Sequence, residues 1–368
     1  MRFLLSNPNA ADTFDGRSYA VCVKPRTGKM AEERRAAVTR REAIAGAGAC
    51  LAFGARAATA STLLVTHPAA LAHDMGPTHL ERPERLRAIL RALDDARFAE
   101  LMRAEAPLAA RDALLRAHSS EHLARLAKPA PSEGYARIGP DVAMNGATQE
   151  AALRAAGGAL AAVDAVMHGD AKNAFVAMRP PGHHATRDTP MGFCFYNNAA
   201  VAALHARAAH GASRVVIVDF DVHHGNGVQE IFWSDRNALY ASTHQMPLYP
   251  GTGAVSETGA HDNIVNAPLA KRDGGAQFRE ALASRILPRL DAFSPDLIIL
   301  CAGFDAHLHD PLGGLRFVAE DFGDVTLRVM EIAARRCKGR IVSLLEGGYR
   351  PEDLARSVAA HVGALMEA

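Results

Sequence analysis

Residues 219–227 read DFDVHHGNG and follow directly on four β-branched apolar residues, Val215-Val216-Ile217-Val218. A continuous rather than alternating apolar run marks a strand buried on both faces, as in a parallel sheet covered by helices. Aspartates placed straight after such a strand are costly unless a cation or hydrogen-bond donors meet them. Asp219, Asp221 and His223 have period-2 spacing, so a short continuation of the strand aims all three into one pocket while Phe220 and Val222 pack on the other side. Two carboxylates and an imidazole suit a divalent metal. A third carboxylate, Asp305, follows another apolar run at residues 297–300. Three protein ligands leave one zinc position open for water, which is the catalytic rather than the structural arrangement.

The same pattern recurs along the chain. Apolar runs at 62–65, 174–177, 215–218, 297–300 and 341–345 alternate with segments of helical period at 84–93, 148–167, 198–210, 276–293, 319–336 and 351–366. This predicts an α/β fold, a single domain with a mainly parallel central sheet flanked by helices. Pro83 and Pro351 stand at helix starts, and Gly211 stops the helix before Val215. Four polar clusters lie just beyond strand ends: RPPGHH at 179–184, DFDVH at 219–223, GFD at 303–305 and EGGY at 346–349. The carboxyl edge of an open α/β sheet is where ligands bind, so groups distant in sequence can share one site there.

His183 and His184 are neighbours, and a regular strand would send them to opposite sides. Pro180-Pro181-Gly182 predicts an irregular turn that lets both converge. A neutral imidazole beside a metal site can act as general base, and a charged one can steady a developing anion. Tyr349 offers a hydroxyl able to donate to an oxyanion. His205, His210, His307 and His309 read as solvated or capping residues.

Basic residues number 41 against 40 acidic, which leaves no charge excess to favour nucleic acid or an anionic membrane surface. Cys22, Cys50, Cys194, Cys301 and Cys337 are widely spaced with no CxxC pair and read as small core residues. Residues 1–60 differ from the remainder. Arg40-Arg41 precede a mildly apolar Gly/Ala-rich run to Phe53 and then Ala58-Thr59-Ala60. That order predicts a leader with a twin-arginine export signal, followed by a catalytic domain over 61–368. The expected destination is the periplasm, with the cytoplasm as the alternative; N-terminal sequencing from the native host separates them. The apolar run is too short to span a membrane.

In their order, RPPGHHA, GFCFYNN, DFDVHHGNG, AGFDA and EGGY resemble the motifs of the zinc-dependent histone deacetylase family, in particular its class II-like bacterial deacetylases and amidohydrolases. The match runs from about residue 66 to about 349, and GFD rather than GAD at 303–305 is the class II spelling. The resemblance implies an arginase/deacetylase-like fold, with Zn2+ held by Asp221, His223 and Asp305. It makes His184 the general base and acid, His183 the charged partner oriented by Asp219, and Tyr349 the group that polarises the carbonyl. It further implies a structural K+ near Asp219, Asp221, His223, Ser242 and Thr243. Gly192, Phe193 and Tyr249 would flank the substrate channel, and Leu312 would stand where polyamine deacetylases carry an acidic gatekeeper. Asn226 departs from relatives that have an aspartate beside the second histidine. The implied substrate is an acetylated lysine side chain or a small N-acyl amine. An arginase-like ureohydrolase would need a DxHxD run where this chain has DxDxHH, and a non-catalytic acetyl-ligand binder would need no acid–base pair.

Overall fold

Eight strands form one sheet in the computed structural model, which describes residues 61–128 and 131–367. Residues 1–60, where a leader with an export signal is expected, lie outside the described residues. In chain order the strands are β1 (Thr62–Thr66), β2 (Met102–Glu105), β3 (Ala136–Arg137), β4 (Ala143–Met144), β5 (Asn173–Val176), β6 (Val215–Asp219), β7 (Ala238–Gln245), β8 (Ile264–Leu269), β9 (Leu297–Ala302) and β10 (Ile341–Leu345). The sheet order is β2-β1-β5-β10-β9-β6-β7-β8, with β3 and β4 as a separate antiparallel pair. Every pairing in the large sheet is parallel.

All residues of β5, β6, β9 and β10 are buried, so both faces of the sheet are covered. Helices Thr148–His168 and Asn198–His210 pack on each other and on the central strands; helices Pro83–Ala92, Ala319–Cys337 and Pro351–Met366 form the other group. Phe220 packs with Phe304 in the loop after β9 and with Phe322 and His361 of that second group, at ring separations of 6.0–6.3 Å. Cys194, Cys301 and Cys337 are free and buried. No described helix is long and apolar enough to cross a membrane.

The structure departs from the sequence expectations in three places. The segment expected as one helix over 276–293 is divided into Gly275–Ala281, a π-turn at Leu282–Ile286 and Leu287–Phe293. Pro288 lacks an N–H, and its ring would clash with the carbonyl four residues back, so the preceding turn widens and Leu287 N bonds Leu282 O. Strands β2, β7 and β8 of the large sheet, and the short β3–β4 pair, are not among those expected from the sequence. The polar second half of β7, Ser242 to Gln245, is buried nonetheless, and Pro268 sits in the edge strand β8, where the missing donor is tolerated. Finally, β6 stops at Asp219 rather than running on to His223. Phe220 N makes one more ladder bond, to Cys301 O, and beyond it the acidic residues are held by donors from other loops.

Candidate active site

The four polar clusters follow β5, β10, β9 and β6, which are consecutive neighbours in the sheet. Parallel strands end at the same edge, so these loops meet there. The convergence expected from the strand assignments therefore has a geometric basis in strand order.

Asp221, His223 and Asp305 each offer a ligand atom, and these atoms lie within 4.8 Å of one another. His223 Nδ1 is 3.1 Å from Asp221 Oδ1 and 3.1 Å from Asp305 Oδ2. The remaining carboxylate oxygens accept backbone N–H groups: Gly347 N to Asp221 Oδ2 at 2.8 Å, and Val222 N to Asp305 Oδ1 at 2.8 Å. A Cβ at Gly347 would stand 2.0 Å from Asp305 Oδ2 and 2.6 Å from Asp221 Oδ2, so glycine is what lets the backbone close on this pair. Burial opposes charge on His223, but hydrogen bonds to Asp221 and Asp305 outweigh it and push its pKa up to about 10. Burial and the like charge of Asp221 raise the pKa of Asp305. Two buried carboxylates with a nitrogen donor between them need positive charge, and a divalent cation fits that donor set.

The histidine pair is displayed by an irregular turn, as Pro180-Pro181-Gly182 predicts. The two rings lie 4.0 Å apart, tilted by 45°. His183 Nδ1 is 3.0 Å from Asp219 Oδ2, which also accepts Tyr240 Oη–H at 3.0 Å. Burial disfavours the imidazolium of His183, but Asp219, Asp221 and Glu346 together hold its pKa well above the usual range. His184 is the opposite case: burial, then repulsion from His183 and His223, lowers its pKa well below the usual range. Its Nδ1 is 2.8 Å from Asn226 Oδ1, and Asn226 Nδ2 faces Met191 Sδ at 3.4 Å. The amide oxygen thus accepts from Nδ1–H, leaving Nε2 of neutral His184 as a base.

Around this polar floor, His184, Gly192, Phe193, His223, Tyr249, Leu312, Tyr349 and Asp141 line a cavity of about 170 Å³. Phe193 meets the Tyr349 ring edge-on at 5.9 Å, and Tyr249 meets His184 at 5.1 Å. Burial raises the Tyr349 pKa well above its usual value, with Asp305 and Asp221 adding to it against Arg85, so the hydroxyl remains a donor. Gly192 has φ +56°, and a Cβ there would stand 2.2 Å from His184 Cδ2. Gly192→Ala is expected to displace the His184 ring and lower kcat by about tenfold or more, on the scale of an ångström-level misplacement of a reacting group. Steady-state kinetics with unchanged metal content is the check.

Several contributors were not singled out from sequence. Asp141, remote in the chain, accepts Gly192 N at 3.0 Å at the cavity wall. Glu346, within the quoted EGGY, accepts Gly182 N at 2.7 Å and His183 N at 3.1 Å, tying β10 to the histidine turn. Arg85 donates to Glu346 O and Gly348 O, and its guanidinium lies 4.8 Å over the Tyr349 ring. Glu81 pairs with both Arg85 and Arg179, all three fully buried. A fully buried Arg is a signal that sequence alone does not display, since charge there reads as surface. His224 bonds Thr252 Oγ1 at 2.7 Å and Gln229 Oε1 at 3.1 Å, turned away from the three metal-facing groups. Ser242 and Thr243 are buried on β7, with Ser242 in register with Asp219.

This combination defines an α/β protein with a carboxylate–imidazole cluster suited to a metal, beside two histidines whose pKa values are pushed in opposite directions, at the carboxyl edge of a parallel sheet. A family model described as the histone deacetylase domain matches residues 79–365. The chain is 39% identical over 276 residues to the histone deacetylase-like amidohydrolase of Pseudomonas aeruginosa, covering 74% of this chain and 72% of that protein. It is 38% identical over 321 residues to the chloroplastic histone deacetylase 10 of Oryza sativa subsp. japonica, covering 82% and 72% respectively. The crystal structure of the HDA15 HD domain superposes with a TM-score of 0.80 at 37% identity, over 84% of this chain and 89% of that one. The chain belongs to the histone deacetylase family, whose named members include deacetylases and amidohydrolases.

Proposed function

We propose that this chain is a zinc-dependent deacetylase that hydrolyses the amide of acetyl-lysine or a related N-acyl amine. The observation that carries it is the meeting of the Asp221–His223–Asp305 cluster, a neutral His184 and Tyr349 at the floor of one narrow, aromatic-walled cavity. Asp221, His223 and Asp305 would hold the zinc, and the chemistry it would supply when bound is that of a Lewis acid toward water and the substrate carbonyl. His184 accepts the proton of the attacking water at Nε2 and passes it to the amine as the C–N bond breaks. His183, charged and fixed by Asp219, steadies the negative charge that develops, and the Tyr349 hydroxyl donates to the oxyanion. The faces of Phe193 and Tyr249 suit a methylene stem. Leu312 is apolar where polyamine deacetylases carry an acidic gatekeeper, and the one carboxylate on the cavity wall, Asp141, already accepts Gly192 N, which favours acyl-lysine over an acetylpolyamine that carries a second ammonium. A structural potassium near Asp219, Asp221, His223, Ser242 and Thr243 belongs to the same proposal; of these, Asp219 and Ser242 face each other across β6 and β7.

Asn226 gives this reading its own pH signature. A neutral amide orients His184 without stabilising its protonated form, whereas a carboxylate there would favour the imidazolium. Since the base must be neutral in the free enzyme, Asn226→Asp is expected to move the acid limb of kcat/KM to higher pH, by about one unit. A pH–rate profile measures it, and an unmoved acid limb contradicts the role given to His184. The activity itself is tested by turnover of a panel of acetyl-lysine peptides, acetylpolyamines and acyl anilides with zinc-loaded protein.

A further inference from the structure

Helices Thr148–His168 and Asn198–His210 carry a second set of metal-seeking side chains, away from the cavity. Asp164 Oδ1 lies 2.7 Å from His205 Nε2 and 2.7 Å from His210 Nε2. The ligand atoms of these three residues fall within 4.8 Å of one another. His168, one helical turn after Asp164 and exposed, has its ring 4.8 Å from that of His210. The Asp164 side chain is 44% exposed, His205 15% and His210 9%, so the site is shaped by packing yet open to a hydrated ion.

The position is separate from the catalytic centre. Asn197 caps the second helix at its start and donates to Ala185 O of the histidine turn, whereas His205 and His210 occupy its last two turns. At 1.5 Å rise per residue, the helix puts about 18 Å between its ends.

We propose that Asp164, His205 and His210 bind zinc or a similar borderline divalent ion and thereby link the two helices, with His168 or water in the fourth position. Two imidazoles and a carboxylate are a zinc donor set. Ligand atoms of a tetrahedral zinc stand about 3.3 Å apart, so the present cluster must open by about 0.6 Å. One neighbour opposes the ion. Arg116 Nη1 lies 3.3 Å from His205 Nδ1 and donates to it, whereas a metal on Nε2 requires the proton on Nδ1. Arg116 is exposed and swings into solvent on binding. The other cluster, His307, His309 and Asp353, is less suited because Asp353 already pairs with Arg350 and Arg356.

The full chain, stripped with a chelator and re-equilibrated with micromolar zinc, is desalted and its metal counted by atomic emission. Wild-type protein is expected to retain one equivalent more than the His205→Ala/His210→Ala variant. Asp164→Asn, which keeps an acceptor for both histidines but loses the charge, is expected to lose the same equivalent without losing the fold. Repeating the comparison in an Asp305→Asn background separates this site from the catalytic one, so failure of either assignment leaves the other readable. Arg116→Ala is expected to tighten the extra equivalent several-fold. Equal zinc content in wild type and both variants, or a difference seen only at millimolar zinc, overturns the proposal.

Discussion

Replacing Tyr349 with phenylalanine is expected to lower kcat by roughly two to three orders of magnitude, the scale for removing one oxyanion donor. The side chain is buried, its ring is held between Phe193 and the Arg85 guanidinium, and burial keeps its hydroxyl protonated. Phenylalanine preserves the ring and therefore the packing. KM and zinc content should change little, because the lost hydrogen bond forms to charge that develops only in the transition state. Full activity in the variant would remove Tyr349 from the chemistry.

Asp305→Asn is the larger effect. The amide oxygen still accepts Val222 N, so the loop after β6 keeps its anchor, but one of the two negative charges facing His223 Nδ1 is gone. Zinc content should fall by one equivalent relative to wild type. Lewis-acid stabilisation is worth several kcal/mol, and each 1.36 kcal/mol is tenfold, so turnover should fall by roughly three orders of magnitude or more. A variant that keeps both its zinc and its rate would show that Asp305 is not a ligand.

The frame of this site was legible wherever the sequence pattern and the physics had the same period. Continuous apolar runs marked β1, β5, β6, β9 and β10 because strands buried on both faces have no polar side to display. The polar residues that followed stood out against them, which is why Asp221, His223 and Asp305 could be grouped although 82 residues separate His223 from Asp305. Strand order could not be read this way. Nothing in the chain says that β10 lies between β5 and β9, and that placement brings Glu346 to the histidine turn and Tyr349 to the cavity. Strand β7 was hidden because Ser242, Thr243, His244 and Gln245 are polar yet buried, Ser242 and His244 bonding each other and His244 also Gly253 O. Arg85 and Glu81 were hidden for the same reason: an ion pair looks exposed in sequence unless its burial is known. The deacetylase roles proposed for the site residues rest on the ordered motifs, and the geometry adds the opposed environments of His183 and His184.

The most direct test is kcat/KM for the substrate panel, measured with protein whose zinc occupancy at Asp221, His223 and Asp305 has been established against the Asp305→Asn variant. Measurable hydrolysis is expected, with acetyl-lysine peptides ahead of acetylpolyamines and with the rate lost in Asp305→Asn. No hydrolysis of any member at full zinc loading would contradict it.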